Sequence, residues 1–381
     1  MDQVELSINS LKEYIAEMFR MFPAIENSWY IMDREERAKL AYLKVQELLV
    51  AVHEGETSLF YPSLNDWSNV QFHHAYGLLP VDRPRMSQIT RAKLDKVVMV
   101  LKIMQGLIES GSRTTKRDIF YQHFCDFSNQ RELDSLVAVI VAMVQVPRLV
   151  LGVVATSKGL VVGDLRYTNS EDVIVDCSLA VGGDSVPQDV MEMKDVVTNA
   201  KFILVVEKDA VFQRMMEEGV MGGHLPSFIM ITGKGVPDLA TRQLVHILSS
   251  QLGLPIMIMT DCDPYGLDIC MMYKYGSLAM AWAAEHLAVP TSVWLGLLPS
   301  DISRLSIMPS SMKLHSAQDR KKMMDLSSRE YVTKDNRLTE ELEILWEMGR
   351  KAEIQQVVEE RDRGFLSHQF LPRKIFECGW V

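Results

Sequence analysis

The chain has 381 residues, 48% of them hydrophobic and 24% charged, with a formal net charge of −10. Such a length and apolar content support a sizeable buried core shared by about two or three domains, while the acidic balance excludes a protein that coats nucleic acid through bulk charge, so any such contact has to be local. Five scattered cysteines without a C-x-x-C pair and nine histidines without an H-E-x-x-H spacing suggest neither a disulfide framework nor a zinc site. The apolar runs fall short of the roughly 20 residues that span a bilayer. Residues 1–20 carry Asp2, Glu5, Lys12, Glu13 and Glu17, unlike a secretory signal, and an intracellular protein is expected.

Residues 4–22 place Val4, Ile8, Leu11, Ile15, Met18 and Phe22 at spacings of four and three, the pattern of a helix with one narrow apolar seam. That seam packs either on the rest of the chain or on a separate subunit. Asp33 and Glu36 form a capping-box pattern ahead of Leu40, Leu43, Val45 and Leu48, so a second helix is expected after Asp33. Residues 55–86 show no clear periodicity and read as a long connection. The first 86 residues are thus a helical region plus connection, and a candidate partner-binding region.

Residues 87–167 read as helices over 88–109, 115–124 and 131–145, then two β-rich runs, 149–155 and 160–165, joined by Thr156, Ser157, Lys158 and Gly159 as a hairpin. Three helices and a hairpin suggest a winged helix, in which one helix lies in the DNA major groove, although many small helical domains end in a hairpin. From about residue 200, apolar runs at 202–206, 228–231 and 255–259 alternate with amphipathic helices at 208–218, 239–252 and 265–275. This is a βαβαβ array, and its continuously apolar strands predict a parallel sheet buried on both faces. Residues 292–297 add a strand, and a charged helix is expected near 339–359. Residues 168–381 are taken as one metal-binding domain with C-terminal helices.

Glu207 closes the first strand of the array, and Asp261 and Asp263 close the third. The carboxyl ends of neighbouring strands border the ligand crevice of an open parallel sheet, so the three carboxylates can converge there. Clustered carboxylates repel one another unless a hard cation sits among them, and Mg²⁺ suits a few carboxylates plus water and phosphate. The bland alternative is that acidic residues end strands and cap helices, Asp263 ahead of Pro264 in particular. A dehalogenase-type D-x-D phosphatase fits poorly, because Pro264 follows the second aspartate.

In the expected helix around Thr115, Arg117 and Tyr121 are four apart and share one face, with Ile119, Phe120 and Phe124 on the buried side. A guanidinium near a tyrosine hydroxyl favours the nucleophilic phenolate and can grip a phosphate. An Arg/Tyr pair alone is ordinary surface chemistry. Basic residues cluster at Arg113, Lys116 and Arg117 and at Arg320, Lys321 and Lys322.

Several motifs, in order, resemble a known family. They are Lys116-Arg117-Asp118-Ile119-Phe120-Tyr121, Ser157-Lys158-Gly159-Leu160 with Gly163, and Val206-Glu207-Lys208-Asp209. Next come Ile231-Thr232-Gly233-Lys234-Gly235-Val236-Pro237-Asp238, Asp261-Cys262-Asp263-Pro264-Tyr265-Gly266, Tyr273-Lys274-Tyr275-Gly276-Ser277, and Trp294 to Asp301. Over roughly residues 90–381 the chain resembles the A-type component of DNA topoisomerase VI and, more closely, its eukaryotic meiotic relatives of the Spo-eleven type.

The resemblance implies a multidomain α+β and α/β protein: a helical N-terminal region, a winged-helix domain bearing a catalytic tyrosine, then a Toprim domain with a Rossmann-like parallel sheet. It implies Tyr121 as nucleophile, Arg117 as supporting cation and Glu207, Asp261 and Asp263 as Mg²⁺ ligands, with Lys234, Lys116 and Lys158 as candidate DNA contacts. The implied activity is meiotic double-strand-break formation by transesterification, leaving a 5′-phosphotyrosyl link and initiating homologous recombination in the nucleus. The implied partners are double-stranded DNA, a second copy of the chain that completes each active site, a topoisomerase VI B-like subunit whose helices would suit the 4–22 seam, and other meiotic break-forming proteins, with no membrane. Two alternatives remain: a topoisomerase component that cuts and reseals with a separate ATPase, since no G-x-x-x-x-G-K-[ST] signature occurs, and a non-catalytic DNA-binding scaffold, against which the intact tyrosine and carboxylates argue.

Overall fold

The structure, a computed structural model, describes residues 2–22, 29, 32–56, 58–154, 157–359 and 361–381. Helix α1 (Asp2–Met21) follows the expected spacing, and Val4, Ile8, Leu11, Ile15 and Met18 are all buried. Their seam packs within the chain, against the helix Leu371–Phe376 from the other end of the sequence, where the Ser7 hydroxyl donates to the Phe376 carbonyl at 3.4 Å. The reading of this seam as a docking face for a separate subunit is therefore corrected. Leu6, Tyr14, Phe19 and Met21, the large apolar side chains of α1 that stay exposed, lie off it.

Helix α2 (Arg34–His53) opens on the expected capping box: the Glu36 N–H donates to Asp33 at 2.9 Å, and the Asp33 N–H donates to Glu36 at 3.3 Å. It packs on α3 (Arg91–Ser110). Residues 55–86 are not the plain connection expected. They contain three short strands, β1 (Phe60–Pro62), β2 (Val70–His73) and β3 (Gly77–Pro80), and end where β4 (Met86–Gln88) begins; β1 pairs with β4 and β2 with β3. Strands of three or four residues leave too few alternations for a period of two to register in sequence.

After β5 (Thr114–Thr115) come α4 (Lys116–Gln122) and α5 (Gln130–Val144). Val97, Leu101, Met104, Ile119, Leu133 and Ile140 pack together in a core shared with α2 and α3. The expected hairpin is not formed. The chain turns at Pro147 to Gly152, β6 (Val153–Val154) pairs in parallel with β5, and β7 (Leu160–Gly163) crosses to a second core. Ala155 and Thr156, which the hairpin reading included, lie outside the described residues. The physical reason is burial: Val161 and Val162 are fully covered on a large sheet, which a two-stranded ribbon could not do.

A small antiparallel sheet follows, of β8 (Arg166–Thr168), β9 (Ile174–Asp176) and, after β10 (Asp184–Ser185), β11 (Lys194–Val197). The large sheet adds β12 (Ile203–Val206), β13 (Ile229–Thr232), β14 (Ile256–Met259) and β15 (Val293–Gly296) in the order β10-β7-β13-β12-β14-β15. Its last four strands are parallel, and β7 and β10 run antiparallel at one edge. Every residue of β12 to β14 is buried, as the unbroken apolar runs require. The crossovers are helices α6 (Asp209–Glu217), α7 (Leu239–Leu252) and α8 (Pro264–Tyr275). The helix expected over 339–359 is two, Asn336–Met348 and Ile354–Glu359, separated by the strand Arg350–Lys351. No helix among the described residues is long and apolar enough to cross a membrane.

Because the α1 seam belongs to this core, Ile8→Ala should destabilise the protein by about 2–4 kcal/mol. Leu6→Ala, at a side chain 59% exposed, should stay within about 0.5 kcal/mol. Chemical denaturation of the two variants checks the contrast.

Candidate active site

The parallel pairing of β12 with β14 brings the acidic residues together. Val206 stands opposite Met259, so the next residues, Glu207 and Thr260, leave the sheet side by side. The Glu207 N–H donates to the Met259 carbonyl at 3.0 Å, and the Asp261 N–H donates to Glu207 Oε2 at 2.9 Å. Asp261, 2% exposed, accepts the Ile354 N–H on Oδ1 at 2.9 Å. Around it, Cys262 and Ala352 exchange two main-chain bonds of 3.0 and 3.1 Å, which ties the acidic loop to the 350–354 segment.

Asp263 has extended backbone and caps α8, accepting the Gly266 N–H on Oδ1 at 2.7 Å with Pro264 in the first turn. The bland reading of Asp263 is thus true as far as it goes, and its second oxygen stays available. A Cβ at Gly266 would stand 2.4 Å from the Asp261 carbonyl oxygen, so only glycine lets α8 begin this close to the loop.

Burial, then the charges of Asp261 and Asp263, push the Glu207 carboxyl up to about 7, against the opposing bond from the Asp261 N–H and the charge of Lys208. Burial also raises Asp261, opposed by Lys208 and the Ile354 N–H. The Lys208 ammonium answers this: it lies 2.6 Å from Asp261 Oδ2 and 2.8 Å from Glu353 Oε2. Burial disfavours its charge, but the bonds to Asp261 and Glu353 outweigh that and raise its pKa. Glu353 in turn is pulled down to about 2 by its bonds to Lys208 and Lys313.

As they stand, no three His, Cys, Asp or Glu side chains among the described residues are gathered closely enough to enclose a metal ion. The donor set nevertheless fits a hard divalent cation in kind. Each carboxylate spends one oxygen on a main-chain N–H; the second oxygens of Glu207 and Asp263 stay available, that of Asp261 is held by Lys208, and positive charge relieves their mutual repulsion.

Two of the lysines expected at DNA lie beside this site. Lys234 has φ +53°, unusual for a residue with a side chain, and its N–H donates to Thr232 Oγ1 at 3.1 Å. The following Gly235, at φ +88°, donates its N–H to the Glu207 carbonyl at 2.8 Å, fastening the loop to the acidic site. The Lys158 ammonium donates to the Lys234 carbonyl at 3.2 Å, and the Lys158 N–H donates to Asp238 at 2.8 Å. Lys116 stands apart, paired with Asp134 at 2.5 Å. Half-buried Arg148, whose charge burial disfavours, feels the charges of both Asp134 and Asp238.

Tyr121 and Arg117 are both exposed on α4, Tyr121 by 67%. The helix is held by its own capping box, Thr115 Oγ1 accepting the Asp118 N–H at 3.1 Å. Ile119 is buried and Phe120 half-buried, but Phe124 is 64% exposed, which corrects its expected place on the buried side. The cause is the early end of α4 at Gln122, where His123 (φ −121°, ψ 37°) takes the chain off the helical phase. Among the described residues, Tyr121 makes no hydrogen bond or ion pair with the acidic cluster, whose strands belong to the other core.

Residues 202–375 match the family model for the Toprim domain of the topoisomerase 6 A-type component and Spo11, and residues 92–153 match the model described as "Type IIB DNA topoisomerase". The chain belongs to the topoisomerase VI A/Spo11 family. Meiotic recombination protein SPO11 of Mus musculus is 37% identical over 88% of the chain and 86% of its own length, and that of Homo sapiens 36% over the same shares. The A-type component of DNA topoisomerase 6 of Arabidopsis thaliana is 32% identical over 78% of the chain and 69% of its own length. The four parallel strands and the acidic residues at their carboxyl ends lie within the match to the Toprim domain of this family.

Lys208, Glu353 and Arg148 were not among the expected site residues. Lys208 directly follows Glu207, and that adjacency was the available signal; Glu353 lies 92 positions from Asp261 by number and carries no motif. Gly266→Ala should cost about 1–3 kcal/mol as an overpacked contact, read as a lowered denaturation midpoint.

Proposed function

We propose that this chain makes the DNA double-strand breaks that initiate meiotic recombination, acting in the nucleus on chromosomal DNA. The observation that carries the reading is the extent of the likeness to proteins named for meiotic recombination, with Tyr121 inside one matched family segment and all three carboxylates inside the other. The Arabidopsis topoisomerase component is matched over less of the chain, and cutting with resealing stands second.

The division of labour follows the two cores. The helical unit, read as the winged-helix part, presents Tyr121, and the Toprim unit presents Glu207, Asp261 and Asp263; the first 86 residues serve both cores rather than forming a separate module. The Tyr121 oxygen, having lost its proton, attacks a phosphodiester phosphorus and forms a bond to it. The bond to the 3′ oxygen breaks, that oxygen takes up a proton, and the 5′ end remains on the tyrosine. Arg117, one turn before Tyr121, favours the phenolate and grips the phosphate. Glu207, Asp261 and Asp263 would hold Mg²⁺, which when bound supplies positive charge to the phosphate and the leaving oxygen. Lys234 and Lys158, beside the acidic site, and Lys116, on the tyrosine helix, would meet the DNA backbone.

Since Tyr121 is exposed and makes no bond to the acidic cluster of its own chain, the reading requires a dimer in which each tyrosine meets the acidic site of the partner. A B-like subunit is a further partner, and its contact lies elsewhere than the buried α1 seam.

Tyr121→Phe should abolish covalent protein–DNA adducts while leaving DNA affinity within about twofold, because only the hydroxyl is lost. Purified protein with end-labelled DNA and Mg²⁺ gives the measurement, and adducts persisting in the variant would sink the assignment.

A further inference from the structure

Each carboxylate of the acidic site has one oxygen committed to a main-chain N–H: Glu207 Oε2 to Asp261, Asp261 Oδ1 to Ile354, and Asp263 Oδ1 to Gly266. Asp261 therefore has a single oxygen to offer a cation, Oδ2, and the Lys208 ammonium sits on it at 2.6 Å. A divalent ion bound to that oxygen would come within strong repulsion of the ammonium. Lys208 has somewhere to go: it already touches Glu353 Oε2 at 2.8 Å, and its side chain is 31% exposed, so it can swing without being stripped of a partner. Glu353 is itself fixed, by Lys313 at 2.5 Å and by the Cys262–Ala352 backbone pairing next to it.

We propose that Lys208 is a resident cation that neutralises Asp261 when no metal is bound, and that Glu353 is the carboxylate that takes Lys208 over when a divalent ion claims Asp261. Both are positioning residues, and the proposal rests on the reading of Glu207, Asp261 and Asp263 as the metal site. Its advantage is physical. A buried aspartate without a counter-charge is costly, and a lysine that can step aside avoids that cost without closing the site.

The test is Mn²⁺ binding to the full chain, followed by electron paramagnetic resonance or calorimetry, with no DNA and no turnover. Lys208→Met should tighten Mn²⁺ binding by about fivefold or more, since the competitor is gone. Glu353→Gln should weaken it by a similar factor, because Lys208 is left with Asp261 alone. In the double variant the effect of Glu353→Gln should vanish. If Glu353→Gln weakens binding equally with and without Lys208, the long-range charge of Glu353 accounts for the effect and the exchange is overturned. Weaker or unchanged binding in Lys208→Met overturns it as well. Melting in EDTA checks folding: Lys208→Met should melt below the unsubstituted protein, with the gap closing in saturating Mn²⁺. Should Lys208→Met not fold, Lys208→Arg takes its place, and binding tighter than that of the unsubstituted protein would overturn the proposal. Asp261→Asn separates the two levels. If no saturable Mn²⁺ site is lost in that variant, the metal reading falls and the exchange with it; if such a site is lost but Lys208→Met binds no tighter, only the exchange falls.

Discussion

The acidic site depends on one pairing, that of β12 with β14 in parallel register. It aligns Val206 with Met259, and the first residues beyond the sheet are then an acid on one strand and, two positions on, an acid on the other. The hydrogen bond from the Asp261 N–H to Glu207 makes this neighbourhood a contact rather than mere proximity. Everything else in the site supports that contact or answers its cost: Gly266 lets α8 start against it, the 350–354 segment braces it, and Lys208 supplies positive charge.

That cost is electrostatic. Buried carboxylates facing one another disfavour ionisation, which is why the Glu207 carboxyl lies near 7 instead of in the usual carboxylate range. A site of this kind stores an attraction for cations that a hydrated surface cluster would not have, since water screens the latter. The lysines close by are each bonded within the chain, to carboxylates and carbonyls, rather than spread over a basic face.

Much of this was legible in the sequence where a residue's environment is set by its own element. The strands of the parallel sheet are apolar at every position because both faces are covered, and the caps at Asp33 and Asp263 depend only on residues a turn away. What failed depends on distant partners. The run that includes Val161 and Val162 reads as a strand, but nothing local says that it pairs with β13 instead of turning back on β6. The α1 seam shows that a face is covered, not that residues 371–376 cover it. The short strands β1 and β4 pair across a loop too long to be read from turn chemistry. Glu353 is brought to the site by the Ala352–Cys262 pairing and by the bond from the Ile354 N–H to Asp261, for which the sequence has no mark.

On the proposed reading, cleavage uses the tyrosine of one protomer and the acidic site of another. Mixed dimers of a Tyr121→Phe protomer and a Glu207→Gln protomer test it directly, with single-strand nicks and the identity of the covalently labelled protomer as readouts. The expected products are nicks without double-strand breaks, with label on the Glu207→Gln protomer, whose intact tyrosine meets the intact acidic site of its partner. Mixed dimers that cut neither strand, while unsubstituted dimers cut both, would contradict it.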